Sequence, residues 1–169
     1  MELKIEECIK VTELEKSLNK NNINDVKRLN GIVYLFDENN QIIYQKRGLK
    51  CRDKRLKLEG IGGGFDKGDI TIKDGILREV KEEAGSNCKI SIDKYLGTLI
   101  ETTYDCNELV YKKILIVGYM GRLVSGKLEI MEPGKCLGYE KYRIDEIDKN
   151  ELSSSALFFY EKILNERSF

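Results

Sequence analysis

Residues 62–85, GGGFDKGDITIKDGILREVKEEAG, constrain the fold more than any other part of the chain. A glycine-rich turn is followed by a segment in which apolar residues recur at every fourth position, namely Ile72, Ile76, Val80 and Ala84. This spacing places the four side chains on one stripe of an α-helix. Such a helix has one face to bury against the rest of the protein.

Both ends of this predicted helix are marked. Thr71 is a suitable N-cap, and Asp74 three residues later forms a pair with it that is similar to a capping box. Gly85 lies where a glycine in the left-handed conformation commonly ends a helix. The sequence therefore predicts a helix from Ile72 to Ala84.

Glu79, Glu82 and Glu83 lie at positions i, i+3 and i+4 of this helix, so their side chains share one face. Like charges at this spacing destabilise an isolated helix by about 0.2–0.5 kcal/mol per pair. Carboxylate oxygens are the ligands that hard divalent cations prefer. The cluster therefore indicates a site for Mg2+ or Mn2+, and the alternative is a solvated acidic face of a helix.

The same stretch resembles the signature of the Nudix hydrolases: Gly, five residues, Glu, seven residues, then Arg-Glu-apolar-any-Glu-Glu-any-Gly-apolar. Gly63 and Asp69 match the first half, and residues 78–85 match the second half without a gap. Three features depart from the signature. The first acid is Asp69 instead of Glu, eight residues separate it from Arg78, and Ser86 stands at the closing apolar position. The extra residue falls in the turn before the helix, so the acids keep their register.

The resemblance implies a MutT-like enzyme of the α/β class, the Nudix α/β/α sandwich, with a mixed β-sheet between helices. It implies that Arg78, Glu79, Glu82 and Glu83 are catalytic, with Arg78 orienting the acids. It also implies that Mg2+ (or Mn2+) is bound by Glu79, Glu82 and Glu83 and by the carbonyl of Gly62. Bound ions would bridge a diphosphate and neutralise charge that develops on the leaving phosphate.

Arg47 is a candidate for substrate binding. It follows a predicted strand and precedes a run of basic side chains in residues 48–58. This run is either a solvated loop or an electropositive rim for a polyphosphate. The resemblance favours Arg47 as a substrate contact, because an arginine at the end of this strand commonly meets substrate in the family.

A general base and a stacking partner for a nucleobase are also expected outside the helix. Family members often take the base from a later loop, where the candidates are Glu132, Glu129 and Glu140. Stacking requires an aromatic side chain, which also has a core role as its alternative, and the candidates are Phe65, Tyr139, Tyr104 and Phe159.

Composition excludes several other classes of protein. Lys and Arg total 29, as do Asp and Glu, and the resulting net charge of zero argues against binding to nucleic acid or a membrane surface. No apolar run approaches the roughly 20 residues of a membrane span. The absence of histidine excludes Ser-His-Asp catalysis and His-ligated zinc. Five scattered cysteines without a CxxC pair indicate a reducing cytoplasm.

The remaining apolar runs predict further elements. Strands are predicted at residues 2–10, 31–36, 41–45, 88–92, 95–103, 109–120 and 127–131 and in the aromatic segment that follows. Residues 12–30 are polar and predict a short helix around residues 12–18 and then a loop. A terminal helix is predicted at residues 156–165. We expect one Nudix hydrolase domain over residues 1–169, in which residues 1–30 form an N-terminal extension of uncertain structure.

The function expected from this sequence is metal-dependent hydrolysis of a nucleoside diphosphate linked to another moiety, in a nucleoside triphosphate or a nucleotide sugar. Its partner is then a small nucleotide, with neither nucleic acid nor membrane, and a homodimer is left open. Two alternatives are a non-catalytic Nudix-like regulator that binds a nucleotide, and an acidic interaction domain. Intact Glu79, Glu82 and Glu83 argue against the regulator.

Overall fold

A computed structural model describes residues 1–167 of the 169-residue chain. Within them, helices and strands follow in the order α1 (Val11–Lys20), β1 (Val26–Phe36), β2 (Ile42–Arg47), β3 (Leu58–Glu59), β4 (Ile61–Gly64), α2 (Ile72–Ala84), β5 (Cys88–Asp105), β6 (Val110–Gly126), β7 (Cys136–Tyr142) and α3 (Ser154–Arg167). Two short 3-10 turns, Ile144–Glu146 and Lys149–Glu151, lead into α3.

The strands form one mixed sheet. Its main order is β3-β2-β1-β6-β5, while β4 pairs with β1 and β7 pairs with β2. All neighbours are antiparallel except β1 and β6, which run parallel, with Arg28 opposite Ile114 and Asn30 opposite Ile116. A parallel pair cannot be joined by a tight turn, and here the chain from β2 to β5 connects the two strands.

Helices cover both faces of the sheet. Alternate residues of β1 point to opposite faces, as strand geometry requires. Val33 and Leu35 join a core cluster with residues of α1 and α2, whereas Ile32, Tyr34 and Phe36 join a second cluster with residues of α3. The predicted α/β/α sandwich is thereby confirmed.

Helix α2 has the bounds that the apolar spacing predicts. Ile72, Ile76 and Ala84 are fully buried and Val80 is 3% exposed. Burying each large apolar side chain stabilises the fold by about 1.5–3 kcal/mol. Thr71 is the N-cap, because its hydroxyl oxygen accepts a hydrogen bond from the Asp74 amide at 3.1 Å.

The C-terminal end of α2 differs in detail from the prediction. Gly85 has a positive φ of 86°, but its ψ of 177° is extended and does not belong to the left-handed helical region. Its amide still donates to the Lys81 carbonyl at 3.1 Å. The carbonyls of Glu83 and Ala84, at the end of the helix, lie next to amides of residues 127–131.

Two strand predictions are wrong, and two others are confirmed as parts of a single strand. Residues 2–10 form no strand: Leu3 donates to the Thr98 carbonyl at the edge of β5, and the chain then leaves the sheet so that Ile5 packs on the core. Residues 88–92 and 95–103 belong to one continuous strand, which three register shifts bend without ending it. Residues 127–131 form no strand, because alternate amides of this segment donate to the Asn87 carbonyl and to the last carbonyls of α2.

The loop predicted before residue 31 is too long. Strand β1 begins at Val26, and its polar residues Arg28 and Asn30 pair with β6 through their backbones. The sequence signal failed there because these side chains face a cavity and not the apolar core. The predicted helix around residues 12–18 corresponds to α1.

Candidate active site

Helix α2 carries the three glutamates on the side that faces strand β4. Glu79 and Glu83 are partly buried, whereas Glu82 is exposed to solvent. The Gln45 side chain, from β2, donates to Glu83 Oε2 at 3.3 Å and to the Gly60 carbonyl at 2.9 Å. Glu83 is thus fixed by the sheet.

Arg78 connects the start of the motif to the acids. Its Nη1 donates to Glu79 Oε1 at 3.0 Å and to Glu82 Oε2 at 3.1 Å, and its Nη2 donates to the Gly64 carbonyl at 2.9 Å. The remaining donors meet Asp69, which also accepts a hydrogen bond from the Asp66 amide. Arg78 therefore orients both glutamates and ties helix α2 to the end of β4.

The glycines of β4 allow close approach of backbone and side chains. A Cβ on Gly63 would lie 2.7 Å from Oε2 of Glu79, so only glycine lets this carboxylate rest on the strand. A Cβ on Gly62 would lie 2.0 Å from the carbonyl oxygen of Gly31, the residue that pairs with Gly63 on β1. These contacts explain the run of glycines in packing terms.

The two partly buried glutamates interact electrostatically. The pKa of Glu83 is raised to about 7, chiefly by burial and also by the negative charge of Glu79, while hydrogen bonds from Gln45 and the Gly62 amide oppose the shift. Burial also raises the pKa of Glu79, against the effect of its hydrogen bond with Arg78. Desolvation and like charge both disfavour ionisation, so this pair favours a bound cation or proton.

Residues 127–131 run across the C-terminal end of α2. The Glu129 amide donates to the Ala84 carbonyl at 2.9 Å, and the Met131 amide lies 3.5 Å from the Glu83 carbonyl. The Tyr139 hydroxyl donates to the Glu129 carbonyl at 3.0 Å and lies 3.3 Å from the Glu83 carbonyl. The segment thus satisfies carbonyls that a helix end leaves without partners, instead of forming a strand.

A cavity of about 280 Å³ opens beside Glu79 and Glu83. Its floor includes Ile114 and Ile116 of β6. Its charged lining combines six cations and five acids: Arg28, Arg47, Lys50, Arg52, Lys54, Lys135, Asp53, Glu59, Glu79, Glu83 and Glu132. A carboxylate pair and six cations in one cavity suit a polyanion held through a divalent cation.

A family model described as NUDIX domain matches residues 26–161. The chain belongs to the NUDIX family. This confirms the resemblance seen in residues 62–85, and as a Nudix hydrolase the chain is an enzyme that acts on phosphorus-containing anhydrides. No curated protein sequence matches the chain significantly.

Solved structures share the Nudix fold at low sequence identity. A MutT protein from Methanosarcina mazei has 18% identity and a TM-score of 0.66 over 84% of this chain and 96% of its own. The NUDIX domain of Shewanella oneidensis NrtR, solved with ADP ribose, has 14% identity and a TM-score of 0.64 over 90% of this chain and 97% of its own. An ADP-ribose pyrophosphatase from Streptococcus suis has 17% identity and a TM-score of 0.53 over 83% and 92%.

Arg47, the predicted substrate contact, and Glu132, a candidate base, both line the cavity of this Nudix hydrolase. Arg47 does so while its Nη2 pairs with Asp53 Oδ1 at 2.9 Å and its Nε donates to the Asp53 carbonyl at 3.0 Å. The Glu132 side chain is about half exposed, with Oε1 3.2 Å from Lys135 Nζ. It also borders a shallow depression next to all three glutamates of α2.

The structure does not bring the predicted aromatic contacts to the cavity. Phe65 packs between β1 and α2, where its ring fills the space above Gly31 and Gly75. Tyr139 packs on the core with its hydroxyl committed to two carbonyls. Phe159 is fully buried, and Tyr104 pairs with Tyr111 away from the cavity lining.

Sequence analysis missed Gln45, Arg28 and Asn30, which also line the cavity. A glutamine inside the apolar run of β2 was a signal for a buried polar role. Arg28 and Asn30 alternate with Leu29 and Gly31, a period-2 pattern that becomes apparent only once β1 is known to begin at Val26.

The residues of the Nudix motif fit a divalent cation by the chemistry of their donors, since Glu79, Glu82 and Glu83 offer hard oxygen ligands. Burial raises the pKa of Glu79 and of Glu83, and only the charge of Glu79 is partly compensated by an ion pair, with Arg78. In residues 1–167 no three acidic or thiol side chains converge as a ready-made metal group. Arg78 holds one oxygen each of Glu79 and Glu82, while Glu83 faces Gln45.

In the described chain no helix has both the length and the apolarity to span a membrane.

Proposed function

We propose that this Nudix hydrolase is a divalent-metal-dependent pyrophosphohydrolase that cleaves a nucleoside diphosphate linked to another moiety. The observation that carries this proposal is that Glu79 and Glu83 line one cavity together with six cationic side chains. A nucleoside triphosphate or a nucleotide sugar offers the matching pattern of a diphosphate attached to a larger group. The MutT and ADP-ribose-binding structures with the same fold support this substrate class.

Glu79, Glu82, Glu83 and the Gly62 carbonyl are proposed to hold Mg2+ or Mn2+. When bound, the ion supplies charge neutralisation at the diphosphate and activation of the attacking water. Arg78 acts as a positioning residue, because its guanidinium already donates hydrogen bonds to four groups. These are the side chains of Asp69, Glu79 and Glu82 and the carbonyl of Gly64.

The other charged residues of the cavity bind and orient the substrate in this proposal. Arg47 is held by Asp53 and presents a fixed positive charge to the phosphates. Glu132 is the proposed proton acceptor, because of the three late-loop candidates it alone lines the cavity. Glu129 instead interacts with Asn87, and Glu140 with the Tyr142 hydroxyl at 2.5 Å.

Residues 1–169 are proposed to act as one domain in the cytoplasm. In the described residues all five cysteines are free thiols, which supports a reducing compartment. The partner is a small nucleotide.

The test is a panel of nucleoside triphosphates, dinucleoside polyphosphates and nucleotide sugars including ADP-ribose, with and without Mg2+ or Mn2+. Release of phosphate, pyrophosphate or nucleoside monophosphate is measured for the wild type and for Glu132→Gln. We expect turnover of at least one compound, dependent on the cation and reduced in the variant. Tight nucleotide binding without turnover of any compound would instead refute the proposed substrate class.

A further inference from the structure

One part of the cavity, here called the β1–β6 end, is built on the parallel pair β1 and β6. Arg28 and Asn30 lie two residues apart on β1 and therefore point to the same face of the sheet. Ile114 and Ile116 lie opposite them on β6 and also line the cavity. This end thus has an apolar floor from which one guanidinium and one amide project.

Arg28 has no partner for its charge. Among residues 1–167, no carboxylate lies within 4.0 Å of its guanidinium, which makes no side-chain hydrogen bond either. The side chain is partly buried, and its burial together with the nearby charge of Arg52 lowers its pKa, although the charges of Asp53 and Asp105, more than 4.0 Å away, oppose this shift. A cation that is desolvated and next to other cations is unfavourable without an anion.

Other cations of the cavity are already paired. Arg47 binds Asp53, Arg52 lies 3.7 Å from Asp105, and Lys54 binds Glu101. Among the described cationic side chains that line the cavity, Arg28 is therefore the one that is partly buried and has no ion pair.

Asn30 provides a second unsatisfied group at the same place. Its side-chain oxygen is buried and has no hydrogen-bond partner. It lies 3.5 Å, and Nη2 of Arg28 lies 3.9 Å, from the point where Gly64 would carry a Cβ. A free donor and a free acceptor thus both lie within 4 Å of one point above Gly64, which has no side chain. Buried polar groups normally have partners, so this pair indicates a missing ligand.

The charge of the cavity as a whole favours an anionic ligand. Six cations and five acids line it, and when Glu79 and Glu83 are assigned to the divalent cation, three acids remain. No aromatic side chain of the described residues lines the cavity, so a nucleobase finds no stacking surface there.

We propose that Arg28 and Asn30 bind a phosphate group of the substrate that is separate from the diphosphate being cleaved. This inference rests on the proposed pyrophosphohydrolase function. Arg28 donates to the phosphate oxygens, and Asn30 accepts a hydrogen bond from a hydroxyl of the sugar that carries the phosphate. The substrate class is then a nucleoside diphosphate derivative with an additional phosphomonoester.

The first experiment compares substrates that differ by one remote phosphate. The pairs are 2′-phospho-ADP-ribose with ADP-ribose, and coenzyme A with its 3′-dephospho form. We expect the wild type to favour the phosphorylated member of at least one pair by about tenfold in kcat/KM, as a charged hydrogen bond supplies. Arg28→Met should abolish this preference, and Arg28→Lys should keep part of it.

Lys27→Met is the matched control, because Lys27 is the exposed neighbour on the same strand and does not line the cavity. It should keep the wild-type preference. Equal loss for both members of a pair in Arg28→Met, or no preference in the wild type, would overturn the inference.

A second measurement does not depend on turnover and so separates this inference from the proposed function. Adenosine 2′,5′-bisphosphate and 3′,5′-bisphosphate are compared with adenosine 5′-monophosphate by calorimetry. At least one bisphosphate should bind the wild type about tenfold more tightly than the monophosphate, and Arg28→Met should remove the difference. The unliganded variant should melt no lower than the wild type, because it loses an unpaired charge. Equal affinity of the wild type for all three compounds would contradict the phosphate site.

Discussion

The guanidinium of Arg78 holds the carboxylate of Asp69 through two hydrogen bonds, with Nε 3.1 Å from Oδ1 and Nη2 2.9 Å from Oδ2. Only 7% of the Asp69 side chain is exposed, and Arg78 lowers its pKa. The extra residue between these positions therefore does not separate them. The shorter Asp in place of Glu still reaches the arginine.

Asp69→Asn should weaken both stability and catalysis. Loss of hydrogen bonds to a charged group lowers the free energy of unfolding by about 1–3 kcal/mol. Arg78 then positions Glu79 and Glu82 less well, and we expect kcat to fall about tenfold. Chemical denaturation and steady-state kinetics provide the measurements. Asp66→Asn is the control, since Asp66 lies 3.4 Å from Arg78 but is 68% exposed, and an equal effect there would refute the specific role of Asp69.

Deleting Ile70 restores the seven-residue spacing of the Nudix signature, yet it should not raise kcat/KM. Asp69 already contacts Arg78, and the Ile70 carbonyl accepts a hydrogen bond from the Val11 amide at 3.1 Å, which the deletion disturbs. A single-residue deletion assayed beside Ile70→Ala separates loop length from side-chain loss. A large gain in kcat/KM on deletion would show that Asp69 is misplaced in the natural loop.

Glu83→Gln should lower kcat by at least about two orders of magnitude, because it removes a carboxylate that binds the cation at the transition state. The amide occupies the same volume, so circular dichroism should show an intact fold. Glu161→Gln is a matched control on the exposed face of α3, where Glu161 pairs with Lys149. Retention of more than about a tenth of wild-type turnover in Glu83→Gln would exclude Glu83 as a metal ligand.

Mg2+ should raise the melting temperature, because it binds the assembled glutamates and not the dispersed ones of the unfolded chain. At about 100 times Kd, this adds about 2.7 kcal/mol to the free energy of unfolding. Differential scanning fluorimetry with increasing Mg2+ measures the effect. The double variant Glu79→Gln/Glu83→Gln should not respond, and an identical response would place the ion elsewhere.

The raised pKa of Glu83 predicts a pH effect with a defined sign. The group titrates at about 7 in the folded protein and at 4.5 ordinarily, so between these values the folded state holds the extra proton. Its contribution to stability without metal is full below pH 4.5 and is lost as pH rises through 7. Glu83→Gln should abolish this part of the pH dependence of the melting temperature.

A cation requires the ionised form of Glu83, so its binding should release a proton at about pH 6. Calorimetry of Mg2+ binding in buffers of different ionisation enthalpy measures this release. Binding without proton release at that pH would show that Glu83 is already ionised or is not a ligand.

The sequence predicted those parts of the site that depend on local structure. Apolar residues recur at every fourth position between Ile72 and Ala84, which predicts the buried face of one helix. Arg78 lies within four residues of the glutamates that it orients, so their contact also follows from helix geometry. Arg28 and Asn30 could not be found in this way. Their position over Gly64 depends on the pairing of β1 with β4 and with β6, which the period of a single segment does not specify.

Two wrong expectations have the same origin. Residues 127–131 have the composition of a strand, but their amides donate to carbonyls at the end of α2 instead of pairing with a neighbouring strand. Phe65 follows the glycines of β4, where a substrate contact and a core contact have the same sequence pattern. The ring packs between β1 and α2 because Gly31 and Gly75 have no side chains and leave room for it.

The parallel pairing of β1 with β6 determines when the cavity can form. Strand β1 is made early, but the strand that completes the floor beside it comes only after β2, α2 and β5. Contacts between distant parts of a chain require closure of a long loop, which delays them during folding. On a ribosome, helix α2 with its glutamates therefore emerges before the floor on which Arg28 faces Ile114 exists.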